Sequence, residues 1–529
     1  MKQLRPAKLF QSVLVLMLLA WPVRSQPFAD WVGLTALQAA TTNLNGTGVR
    51  VAVIEAPYGA LGNFEADPSL VGQPVSLFTY FSAAGSATNY PNSVGGFSGH
   101  ADDSVNTVCS PIHSGFGTNI AHLDNIEANY FYQDCVTILA GPAFNDPVAN
   151  QSYTFGPLTV ASQQLHDLQY DNYSLANNML FVSAVGDGGP VAAPGTSYDC
   201  IGVAAYYPSG ASSSIGPTID NGRCKPDITA INVQTSGSTP EVAGAVVLLL
   251  HAGRRGDGGS ATNAAADMRT LKALLLNGAV KPPGWTNGAT TPLDARHGAG
   301  VLNVLNSYFQ LTGGKHDSIV SSLVTLGGAH PPPGATGTVS VLSGWNFTTN
   351  TSSVTSDSIH HYYFNVSNAN VTAKFTATAT LVWFRQTGMS SINNLNLFLY
   401  NTANSNLVSS SISAVDNVEH IYVTNLAQGR YDLQVWKAGG AGTVSASEPY
   451  ALAWEFVPPP VLAVSGGTNY TLNWPLYPQG FLVEARTNLI SGTWSTNGFS
   501  YPVVTNGVNS ILLNTTNAGQ FFRLRKPNL

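Results

Sequence analysis

Three residues far apart in the chain sit where a side chain could take part in acyl transfer. Ser236 lies four residues before Pro240, in the stretch Lys225–Leu250, KPDITAINVQTSGSTPEVAGAVVLLL. The stretch reads as a loop, a proline at the start of a helix, and a long apolar helix. A hydroxyl at such a helix start faces free backbone N–H groups and the positive end of the helix dipole, where a nucleophile and its oxyanion gain most. Glu55 ends the run Gly48–Ala56, GVRVAVIEA. The loss of alternation there predicts a strand covered on both faces. A carboxylate closing such a run is seldom placed for packing alone. His100, in SGHADDSVNTV, is followed by Asp102 and Asp103. These two acids either hold its charge or simply favour the first turn of a helix.

The elements around these residues carry a resemblance. Lys225, Pro226 and Asp227, then Thr235, Ser236, Thr239, Pro240, Ala243 and Gly244, resemble the serine block of the subtilisin-like serine peptidases, with Gln234 where that family usually has Gly. Gly48–Glu55 is similar to the family's strand ending in the acid, with Glu in place of Asp. Ser98–Ala101 is similar to its Gly-His-Gly/Ala block. The chain order acid, histidine, serine also agrees. The resemblance implies a Glu55–His100–Ser236 triad. Ser236 attacks the carbonyl, His100 carries the proton, and Glu55 fixes the ring and its tautomer. It implies an oxyanion residue at Asp187, at the end of MLFVSAVGD, where the family has Asn. An ionised Asp would repel the oxyanion, and a protonated one could donate to it. Val148–Phe155, VANQSYTF, resembles the family's strand along the substrate cleft, with Asn150 and Ser152 matching.

The resemblance covers about residues 30–310. It implies an α/β fold: a subtilisin-like parallel-sheet catalytic domain with helices on both faces. The activity implied is endopeptidase cleavage of polypeptides. Two alternatives remain. One is a catalytically impaired pseudopeptidase that binds extended peptides by strand addition. The other is an acid peptidase of the sedolisin kind, using Glu55 with Asp102 or Asp103. No cofactor and no metal are expected, since Asp-x-Asp-Gly loops are missing.

Composition agrees with export. Charged residues make up only 9% of the 529, and the net charge is −6. Nothing in this favours nucleic acid or acidic membranes as partners. Lys2, Arg5 and Lys8 precede the apolar run Leu9–Ala20, and Val23-Arg24-Ser25 supplies a cleavage signal. Residues 1–25 therefore read as a secretory signal peptide, and the run is too short for a membrane span. The expected location is extracellular or periplasmic, with too few residues before Glu55 for a separate folding propeptide. Four cysteines in an exported chain suggest two disulfides, Cys109–Cys135 and Cys200–Cys224, each bracketing adjacent elements.

Beyond Ser307 helical periodicity gives way to alternation. The expected division is a peptidase domain at 26–310, an antiparallel β-sandwich resembling a jelly-roll module at 311–457, the linker VPPP, and a small β module at 461–529. Trp474, Trp494 and Phe521–Arg523 anchor the last of these. The aromatic residues of these modules read as core, and the modules are candidates for contact with protein, cell surface or polysaccharide.

Overall fold

The computed structural model describes residues 28–525, apart from 60–61, 140, 467–469, 479–480, 496–502, 506–507 and 514–519. The signal-peptide reading, residues 1–25, lies outside the described residues.

The first unit is built on eight strands: β1 (Arg50–Glu55), β2 (Phe78–Ser82), β3 (Gly85–Ala87), β4 (His122–Glu127), β5 (Val148–Gln151), β6 (Leu180–Ala184), β7 (Ile201–Tyr206) and β8 (Ile228–Ile231). Their order is β3-β2-β4-β1-β5-β6-β7-β8. All neighbours run parallel except the β2–β3 hairpin. Strand β1 shows why its sequence lost its alternation. Val51 and Val53 enter one hydrophobic cluster, and Ala52 and Ile54 enter another on the opposite face. Both faces are covered, so the four positions from Val51 to Ile54 are all apolar.

The central helix, Thr235–Arg254, buries Val242 through Leu250 without a break. It begins at Thr235, not at Pro240 as the sequence suggested, so Pro240 lies inside it and Ser236 in its first turn. Pro240 cannot donate to the Ser236 carbonyl. Close by, the Thr239 hydroxyl donates to the Thr235 carbonyl at 2.7 Å. The helix Gly99–Cys109 is capped by Ser98, whose hydroxyl accepts from the Ala101 N–H at 3.2 Å.

The expected disulfides are not present: all four cysteines are free thiols. The sheet explains this. Cys109 belongs to the core on one face and Cys135 to the core on the other. Cys200 and Cys224 are divided in the same way. Bracketing adjacent elements in sequence placed the members of each pair in different clusters, on opposite faces of the sheet.

Nine strands follow: β9 (Val320–Thr325), β10 (Ser343–Thr351), β11 (Ser356–Val366), β12 (Phe375–Trp383), β13 (Leu395–Asn401), β14 (Asn406–Ser411), β15 (Val418–Leu426), β16 (Gly429–Lys437) and β17 (Ser447–Val457). They form two antiparallel sheets, β10-β17-β12-β15 and β14-β13-β16-β11-β9, packed over a core that includes Tyr362, Trp383, Leu433 and Trp454. The sandwich also shares a core with the first unit. Trp345, Val382, Phe384 and Ala453 lie in the same cluster as Leu271 and Leu274. Asn277 accepts from both Thr378 and Thr380 at 3.0 Å. Beyond Val457 a small β unit packs around Leu472, Trp474, Val483 and Ile511, and the Arg523 guanidinium stacks 4.3 Å from the Trp494 ring.

Candidate active site

The carboxyl ends of the parallel strands deliver the candidate residues to one edge of the sheet. There Glu55 ends β1, nearly buried, and its Oε1 lies 2.6 Å from His100 Nδ1. The second oxygen, Oε2, has no hydrogen-bond partner among the described residues. His100 is the second residue of its helix, with 44% of its side chain exposed. Burial raises the Glu55 pKa, and the hydrogen bond and charge of His100 pull it back. The His100 pKa is raised, chiefly by the hydrogen bond to Glu55 and further by the charges of Asp103 and Asp187. With Nδ1–H donated to the carboxylate, Nε2 is left to act as base.

Asp102 turns away from this pair. It is buried and accepts the Asp67 N–H at 2.7 Å. Burial pushes its carboxyl up to about 6. Asp103 is exposed.

Asp187 follows β6 across a Gly186 held at φ 103°. Its Oδ1 accepts the Thr235 N–H at 2.7 Å and the Thr235 hydroxyl at 2.8 Å, and its Oδ2 accepts Gln234 Nε2 at 3.3 Å. Gln234 occupies the N-cap position of the central helix without capping it through its own side chain. Asp187 caps that helix from a distant loop, at the positive end of its dipole. The two positions where the chain departs from the resemblance, Gln234 and Asp187, are therefore hydrogen-bond partners. Asp187 is exposed at the mouth of the site, not buried as an oxyanion carboxyl would be.

Ser236 is half-buried, one residue beyond Thr235. Among the described residues, the His100 ring bonds to Glu55 and makes no hydrogen bond with the Ser236 hydroxyl. The structure thus joins Glu55 to His100, and Asp187 to the serine loop, and the charge of Asp187 reaches His100. Asn150 and Ser152 lie in the sheet interior. Asn150 is fully buried, Ser152 nearly so, and Asn150 Nδ2 donates to Ser152 Oγ at 3.0 Å. The wall of the cleft is made by the residues that follow. A cavity of about 300 Å³ is lined by Thr154, Phe155, Leu158, Asp187, Val191 and Ser214 among others. Its concave, mainly apolar shape suits a side chain of a bound peptide.

Two residues of the site escaped sequence reasoning. Thr235 read as part of a motif rather than as the partner of Asp187. Glu241 is buried inside the central helix, where it accepts the Ile231 N–H at 3.2 Å and so braces the loop leading to Ser236. Burial raises its pKa well above the ordinary carboxylate range. The signal was available, as a single carboxylate inside the apolar run PEVAGAVVLLL.

Residues 84–300 match the model of the subtilase family, a span that holds His100, Asp187 and Ser236 but begins after Glu55. Over that span the chain is similar to the subtilase family. Among solved structures, the chain is similar to the prenylagaramide maturation protease PagA. Identity is 18%, covering 52% of this chain and 98% of that one, with a TM-score of 0.35. It is similar also to the serine protease MycP1, an essential component of the type VII (ESX-1) secretion system. Identity there is 15%, covering 54% and 88%, with a TM-score of 0.33. Tripeptidyl peptidase 2 matches at 13% identity over 74% of this chain and 43% of that one, with a TM-score of 0.30. No curated protein matches.

Proposed function

We propose that the protein is a secreted serine endopeptidase acting through Glu55, His100 and Ser236. The observation that carries this is the 2.6 Å contact between a nearly buried carboxylate and a half-exposed histidine that feels the charge of Asp187, the residue bonded to the start of the serine helix. Ser236 attacks the peptide carbonyl and gives its proton to His100 Nε2. His100 returns the proton to the leaving amine, and a water repeats the cycle to free the acyl group. Glu55 holds the ring in the tautomer this needs and stabilises the imidazolium. The Ser236 N–H, at a helix start, faces the oxyanion. Asp187 must release Thr235, or take up a proton, before it can assist. Export through residues 1–25 fits the sparse charge of the chain.

One observation favours a second reading, a pseudopeptidase that grips extended peptides. Asp187 stands as an acceptor from the Thr235 N–H and hydroxyl where the family's residue donates to substrate. The sedolisin-like reading loses support, because Asp102 is committed to the Asp67 backbone. A fluorophosphonate probe, combined with hydrolysis of an unfolded protein substrate, separates the two main readings. Labelling of Ser236 with cleavage that is lost in Ser236→Ala is expected. A folded protein that binds peptide but neither labels at Ser236 nor cleaves would establish the binder.

A further inference from the structure

A second serine in the molecule is joined to a histidine and a carboxylate, and it lies outside the peptidase cleft. Ser322, on β9, places its Oγ 2.8 Å from His361 Nε2. His361, on β11, has its Nδ1 2.8 Å from Asp432 Oδ2, on β16. The three strands are neighbours in the order β16-β11-β9. The direction of each bond follows from its partners. Gln434 Nε2 donates to the same Asp432 oxygen at 2.8 Å, which marks Asp432 as an acceptor. His361 Nδ1 therefore carries the proton toward Asp432. Nε2 is then an acceptor, and the hydrogen between it and Ser322 belongs to the hydroxyl. That is the arrangement by which a base activates a serine.

Access is asymmetric. His361 and Asp432 are buried, and Ser322 is partly exposed. Of the three residues only Ser322 meets solvent, and its hydroxyl is bonded to the buried base. β9 is an edge strand, so the backbone N–H groups on its outer side lack a strand partner, and such donors can face a developing oxyanion. Val320 and Val324 flank Ser322 on the same face of the strand.

The geometry points to Ser322 as a second acylatable serine, a site for hydrolysis of small, unhindered esters with apolar acyl groups. Ser322 Oγ attacks the ester carbonyl as its proton passes to His361 Nε2. The carbon–oxygen bond to the leaving alcohol then breaks, and the alcohol takes that proton. Water adds to the acyl-serine by the same route, releasing the carboxylic acid and restoring the hydroxyl. A buried base admits small leaving groups and excludes a folded polypeptide. The site is independent of the peptidase reading.

The test uses the full chain carrying Ser236→Ala, which removes the other candidate nucleophile. Treatment with a fluorophosphonate, followed by proteolysis and mass mapping, should place the label on the peptide containing Ser322. Hydrolysis of p-nitrophenyl acetate should fall at least about tenfold when Ser322→Ala is added. The mapping requires no change at Ser322, so it stands even if the double variant folds poorly. A folded Ser236→Ala protein that takes no label at Ser322, or labels only elsewhere, overturns the proposal.

Discussion

The molecule contains two histidines held by carboxylates beside a serine, and they differ in what holds them. In the candidate peptidase cleft, Glu55 closes a strand while His100 and Ser236 open helices, so all three lie where regular structure ends. There the ring is half-exposed, bonded at Nδ1 alone, and the serine is not yet engaged. In the β-sandwich, Ser322, His361 and Asp432 sit within strands, the ring is 1% exposed, and both its nitrogens are bonded. Strand pairing fixes the second group before any ligand arrives. The first is left open, as the proposed peptidase reading requires of a site that a substrate must enter and complete. Access and preorganisation are separate properties, and this chain places the greater share of each in a different unit.

The most severe break of the comparison is His100→Ala. If the open group is the peptidase, losing its base should lower kcat/KM on a protein substrate by about 10⁴-fold. The pH profile sharpens the same point. Glu55 stabilises the imidazolium and so raises the His100 pKa. Only the neutral ring can act as base, so activity should be lost as pH falls through that raised value. Glu55→Gln removes the stabilising charge, lowers the pKa, and should move the acid limb to lower pH. An unchanged acid limb in that variant would assign the titration to another group.

The two groups were unequally legible in the sequence. Glu55, His100 and Ser236 could be read because each sits in a local pattern: an apolar strand ending in a charge, a Ser-capped helix, a loop followed by an apolar helix. Parallel strands read as unbroken apolar runs for the same local reason. His361 and Asp432 were hidden among residues read simply as alternating strands, and Ser322 lay in a stretch assigned to no strand. Their meeting depends on the register of β9 against β11 and of β11 against β16, which no local pattern encodes. The cysteines failed likewise, since sequence proximity does not say on which face of the sheet a residue falls. Asp187 was read as a departure from the resemblance, but its exposure and its bonds to Thr235 and Gln234 required the folded loop.

Asp187→Asn tests whether the open group is held back at its oxyanion position. An amide can accept the Thr235 hydrogen bonds through its oxygen and still offer an N–H to the developing oxyanion. One such donor is worth about 10²- to 10³-fold in turnover. Turnover on a protein substrate should rise toward that limit. A variant no more active than wild type, with Ser236 still unlabelled by fluorophosphonate, would favour the peptide-binding reading.

Stability should reverse the ranking of the two groups. Asp432→Ala strips partners from His361 Nδ1–H and from Gln434 Nε2, both in a buried setting. Each orphaned donor costs about 1–3 kcal/mol, so the loss should reach roughly 3 kcal/mol in chemical unfolding. Glu55→Ala should cost about 1 kcal/mol or less. The Glu55 Oε2 has no partner to lose, and the half-exposed His100 ring can turn to water. Equal losses from both variants would mean that the cleft pair is as structural as the sandwich pair.

The smallest expected effect concerns Gln234. Its amide reaches Asp187 Oδ2 at 3.3 Å, a long and exposed hydrogen bond. Gln234→Ala should alter stability by less than about 1 kcal/mol. Its effect on turnover should be small as well, because the two bonds from Thr235 to Oδ1 remain. The informative quantity is the coupling. If Gln234 helps hold Asp187 against the helix start, freeing Asp187 should modestly raise turnover in the Gln234→Ala variant. Once Asp187→Asn has supplied a donor, the same change should add nothing. A double-mutant cycle on kcat/KM should therefore be non-additive. Strict additivity would show that Gln234 and Asp187 act independently, and that Thr235 alone sets the position of the carboxylate.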